Sequence, residues 1–128
     1  MTPDEFIAAL KVVVHDSSVR GVLETLAHPG GRKPAPRLLE LAQWFSSLSE
    51  LDRVRVAQVI QLSVHSGIFG TLAVLDGASA IESGSKKGRL KLTYERGDEA
   101  RVLNDNRSED LHDIYQHQVY DLVFGPAA

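Results

Sequence analysis

Apolar residues recur at helical spacing through the first 75 positions and change to strand-like alternation only after residue 88. Thr2-Pro3-Asp4-Glu5 reads as a helix start, with a capping threonine, a proline at the first helical position and an acid completing the box. Phe6, Ile7, Leu10, Val13 and Val14 follow at helical intervals, which predicts a first helix ending near His15. Asp16-Ser17-Ser18 reads as a second cap, with Val19, Val22, Leu23 and Leu26 on one face behind it. His28 to Pro34, rich in proline and glycine, predicts a loop.

Pro36 opens a third helix whose core face is Leu38, Leu39, Leu41, Ala42, Phe45 and Leu48, bordered by Trp44. Ser49-Glu50-Leu51-Asp52 caps the fourth and longest, expected over 50–75. Its expected buried positions are Leu51, Val54, Val59, Leu62, Ile68, Phe69 and Leu72. Gly67 and Gly70 lie inside it, each costing about 1 kcal/mol against alanine. They permit close helix approach or mark a break near Ser66.

Ala78 to Glu82 reads as a short strand or a helix tail, and Ser83 to Gly88 as a turn-rich connector. From Arg89 to Glu95 the pattern alternates, with Leu90, Leu92 and Tyr94 on one face. Gly97-Asp98 turns the chain, and Ala100 to Leu103 returns as a second strand. Ser108 reads as the cap of a last helix through Leu111, Ile114 and Tyr115, followed by an apolar tail to Phe124. The expected architecture is α+β and mostly helical, with four to five helices. A C-terminal-half antiparallel β-hairpin or three-strand meander completes a single domain over 1–128, with 125–128 frayed.

Composition narrows the function classes. There is no cysteine, so disulfides and thiolate chemistry are excluded. The formal net charge of −3 gives no support for nucleic-acid binding. Val56 to Leu75 lacks formal charges and has the length of a bilayer span, but Gln58, Gln61 and His65 line one helical face. That stripe points to the buried central helix of a soluble protein, cytoplasmic in character, without a membrane role.

No catalytic, cofactor or metal signature stands out among the residues. Asp113 and His117 sit four apart, too few ligands for a metal site. Ser66 follows His65 directly, and adjacent helical side chains diverge too far to form a dyad. Gly84-Ser85-Lys86-Lys87-Gly88 lacks the P-loop pattern and precedes a strand. Gln58, Gln61, His65 and Asp76 form a candidate polar cleft, although an internal hydrogen-bond network or a solvent-facing seam is the plainer reading of such a stripe. Asp105, Glu109, Asp110, Asp113 and Tyr120 form a candidate surface for a basic protein partner.

The segments Leu41 to Ser49, Ser63 to Gly70, Val74 to Gly77, Leu90 to Tyr94, Leu103 to Asp105 and Leu111 to Tyr115 together resemble a group of small uncharacterised bacterial proteins, a domain of unknown function. The resemblance implies no activity. In size, acidity and lack of catalytic motifs the chain is also similar, in type only, to immunity proteins that neutralise bacterial toxins. The expected function is a non-enzymatic protein-binding module, most concretely a toxin-immunity or inhibitor-type protein. The alternatives are a self-associating structural or regulatory protein forming a homodimer, and a small-molecule-binding or enzymatic domain in which His65, Asp76, Asp105 and His112 converge.

Overall fold

A computed structural model describes all residues except Asn106, Ser108, Ala127 and Ala128. The expected Ser108 cap and the last two residues of the expected frayed tail therefore lie outside the described residues. The architecture is α+β: four helical rods and a two-stranded antiparallel hairpin in the C-terminal half.

The first rod joins α1 (Pro3–Leu10), a π-helical turn (Lys11–Asp16) and α2 (Ser17–Ala27) without interruption. Thr2 caps it as the sequence suggests, its Oγ1 accepting the Glu5 N–H at 3.1 Å. The expected break at Asp16-Ser17-Ser18 does not occur. Asp16 has helical dihedrals and no capping bond, and its carboxylate accepts from Lys11 Nζ at 3.2 Å instead. The Ser17 hydroxyl donates to the Val12 carbonyl five residues back, following the wider turn.

α3 (Pro36–Ser47) packs on α2 and contains no buried residue. Its expected core positions Leu38, Leu39 and Leu41 are exposed, because no second layer covers that face. α4 (Glu50–Leu75) begins where expected, with Ser49 Oγ accepting the Asp52 N–H. Its burial differs from expectation. Leu51, Val54, Val59 and Leu62 are exposed, and only His65, Leu72 and Ala73 are buried. α2 packs beside α4, whereas Ile68, Phe69, Leu72 and Leu75 of the C-terminal half of α4 join the core.

The hairpin pairs β1 (Thr93–Arg96) with β2 (Glu99–Val102), Thr93 opposite Val102 and Arg96 opposite Glu99. Gly97 turns it with a φ of 58°, as a two-residue loop with glycine first requires. The strands are shorter than the alternation implies. Leu90 is exposed outside β1, and Ala78 to Glu82 adds no third strand. α5 (Leu111–Phe124) then runs back along α4 and α1. Leu111, Tyr115 and Val119, four apart on its inner face, join Ile7, Leu72 and Ile114 in the core.

Asn104 is the joint between the helical and β parts. It is 6% exposed. Its Oδ1 accepts the Leu92 N–H at 2.8 Å, and its Nδ2 donates to the carbonyls of Leu75 (2.7 Å) and Leu90 (3.0 Å). One amide thus satisfies the end of α4 and the chain entering the hairpin. Asn104→Ala orphans these backbone groups and is expected to destabilise the chain by about 3 kcal/mol, given 1–3 kcal/mol for each unsatisfied buried group. Urea denaturation measures this; a loss below about 1 kcal/mol contradicts the joint's role.

Candidate functional site

The π-helical turn, α4 and α5 meet at a closed polar network inside the apolar core. His15 and Tyr115 are fully buried. Gln61 Oε1 lies 2.7 Å from His15 Nε2, and the Tyr115 hydroxyl lies 2.5 Å from His15 Nδ1. With this amide orientation, a neutral imidazole donates from Nε2 to Gln61 and accepts at Nδ1 from the phenol. Every polar atom of the chain Gln61–His15–Tyr115 that faces the core then has a partner. Irregular turns such as this π segment recur at functional positions in helices; here the turn brings a histidine onto the stripe of Ile7 and Val19.

His65 completes the cluster by stacking. Its ring lies 5.5 Å from Tyr115 and 5.4 Å from Phe69, and meets the edge of Phe124 at 5.1 Å. It is 6% exposed, and its Nε2 is buried without a hydrogen-bond partner among the described residues. Burial lowers the His65 pKa from its ordinary value, with a smaller repulsive contribution from His15 when that ring carries a charge. Burial, with a smaller contribution from Asp16, pushes the Tyr115 phenol up. The phenol therefore stays protonated and donates, which suits a fixed hydrogen bond and not a base or nucleophile.

The candidate cleft residues separate into three places. Gln61 and His65 belong to the buried cluster. Gln58 is exposed and accepts from Arg55 Nη1 at 2.9 Å. Asp76 lies at the far end of α4, its side chain 1% exposed, and accepts from the backbone N–H (2.9 Å) and Nδ1 (2.7 Å) of His112. It thereby satisfies an otherwise orphaned donor in the first turn of α5. Of the four residues expected to converge, Asp76 and His112 bond directly. His65 reaches them only through Phe69, and Asp105 instead accepts from the Arg107 N–H. A groove of about 490 Å³ borders Gln61 on its outer side, between Asp16, Arg20, Glu24 and His28.

The candidate partner surface lies on and before α5. Glu109, and not Asp113, pairs with His117, at 3.1 Å. Asp110, His112 and Asp113 present donor atoms within 4.8 Å of one another, near enough to share a cation. Asp110 and Asp113 also occupy the cap and the first turn of α5, where carboxylates face the positive helix end. Tyr120 lies two turns further along, against Phe124.

His15 and Tyr115 are the site residues that sequence reasoning missed. A helix taken to end at His15 hides that Ile7, His15 and Val19 share a face. Tyr115 was legible as apolar surface, with its hydroxyl unassigned.

Two measurements probe the cluster. Tyr115→Phe leaves His15 Nδ1 buried without its donor, an expected loss of about 1–3 kcal/mol in urea unfolding. For His65, an unfolded chain with pKa 6.5 binds a proton that the folded chain resists. Its contribution is thus present above pH 6.5 and lost as pH falls below that value toward the lowered folded pKa. His65→Phe, which keeps a stacked ring, should flatten the fall in stability between pH 7.5 and 5.5. Identical slopes in the two proteins would contradict this assignment.

No protein-family model, no curated protein and no solved structure matches the chain.

Proposed function

We propose that the protein is a non-enzymatic protein-binding module whose principal contact surface is the outward face of α4. The observation that carries this is the exposure of that helix. α4 is long and apolar enough to cross a membrane by length and composition, yet 17% of its apolar window is buried. Leu51 is 64% exposed, Val59 60% and Leu62 49%. Large contiguous apolar surface on a folded chain marks an interaction site. The polar cluster fits the same reading, because the bonds linking Gln61, His15 and Tyr115 hold three rods in register.

A bilayer is a poorer occupant of this face. α5 lies against the C-terminal half of α4, so insertion would carry Asp113, Gln116, His117 and Asp121 into hydrocarbon. A second, inhibitor-type reading is favoured by the acids before and in the first turn of α5. Among the described residues, Glu109, Asp110 and Asp113 have no lysine or arginine partner. They would steer a basic protein by charge, the mode expected of a toxin-neutralising protein.

Placing a photo-cross-linking residue at Leu62 in cells tests the principal reading. Protein adducts at Leu62, absent from the same substitution at exposed Lys87, are the expected result. Adducts to lipid alone, or equal yields at both positions, refute it.

A further inference from the structure

We infer that the occupant of the α4 face is a second copy of this chain, its α4 antiparallel to the first about a twofold axis passing between Val59 and Leu62. The inference rests on reading that face as a protein-binding surface.

The first argument is area. The chain exposes 8981 Å². A globular monomer of 14.0 kDa is expected to expose about 6,700 Å². The excess, roughly 2,300 Å², is spread over the whole chain, the exposed connector 77–91 included, and about a third of it on the α4 face would supply the ~800 Å² that each partner contributes to a standard interface.

The second argument is the order of side-chain sizes along α4. An exposed stripe runs through Leu51, Arg55, Val59, Leu62, Ser66 and Gly70, at steps of three and four. It is bulky from Leu51 to Leu62 and small at Ser66 and Gly70. Antiparallel reversal about its midpoint places Leu51 on Gly70, Arg55 by Ser66 and Val59 on Leu62. Each large side chain meets a small one at the ends, Val59 meets Leu62 beside the axis, and the Ser66 hydroxyl can accept from the guanidinium. Parallel pairing would set Gly70 against Gly70, leaving a gap, and would gather Asp52, Arg53 and Arg55 beside their own copies. The antiparallel arrangement also opposes the helix dipoles. One stripe complementary to itself is the signature of an isologous contact.

The third argument is glycine. A Cβ at Gly67 or Gly70 would meet no atom of another element within 4 Å, so no close packing between elements calls for glycine at either place. Each still costs helix stability. A second backbone approaching closely supplies the reason, since only a glycine lets the facing Leu51 seat against the helix.

Light scattering on the purified protein at micromolar concentration, without detergent, should give twice the 14.0 kDa chain mass. Gly70→Leu has room within the chain and favours the helix, so the fold should persist by circular dichroism while dimer dissociation increases about tenfold or more. The chain has no cysteine. Mixed Leu51→Cys and Gly70→Cys proteins should therefore form disulfide dimers on oxidation. Neither alone should, because like positions stand about 28 Å apart in the antiparallel pair. A 14.0 kDa mass at high micromolar concentration overturns the inference, as does a dimer indifferent to Gly70→Leu, or Leu51→Cys cross-linking to itself. A monomer whose Leu62 adducts in cells contain another protein overturns self-pairing and leaves the binding reading standing. A monomer that inserts into phosphatidylcholine vesicles overturns both.

Discussion

A tyrosine hydroxyl buried at the centre of a small core has to find a partner, and much of this structure follows from how Tyr115 finds one. Burying an unbonded hydroxyl costs roughly 1–3 kcal/mol. His15 Nδ1 supplies the acceptor, and Gln61 Oε1 in turn accepts from the imidazole Nε2–H. Because the three residues belong to α5, the π-helical turn and α4, satisfying one hydroxyl fixes the relative placement of three rods. Slippage of any rod would orphan at least one buried polar atom. The apolar neighbours, Ile7, Leu72, Leu111, Ile114 and Val119, supply the driving force but would tolerate several relative positions.

The same economy governs the other joints. Asp76 meets two donors of His112 and so sets where α5 begins. Asn104 meets three backbone groups and sets how the hairpin joins α4. Each joint is a single short polar side chain completing the hydrogen bonds of chain ends that regular structure leaves open. The core that they organise is confined to the contact of α1, the later half of α4 and α5.

That confinement has a consequence for the other half of the molecule. α3 and the first half of α4 carry helix-forming, apolar sequence with little of the chain available to cover it. Such surface is tolerable in an isolated chain only at a cost in solubility, and it is well suited to an interface. The polar cluster gives the rods a definite arrangement, and in the proposed reading the apolar face offers that arrangement to a partner.

The helical rods and the hairpin turn were legible because their signals are local. Thr2 and Ser49 cap by bonds three residues long, and Gly97 supplies the positive φ of the turn wherever the hairpin docks. Gln61 and His65 were legible as polar residues on an apolar helix that needed partners. The partners themselves were not. His15 lies 100 residues from Tyr115 and 46 from Gln61 in sequence, and no local pattern encodes such pairs. Burial along α4 was misjudged for a related reason: periodicity shows that a helix has an apolar face but not whether anything packs against it. The sequence by itself determined where the chain becomes helix, turn and strand, because those choices depend on neighbours a few residues away. Only the tertiary structure decided which apolar faces are covered and which polar groups meet, because both depend on segments brought together across the whole length of the chain.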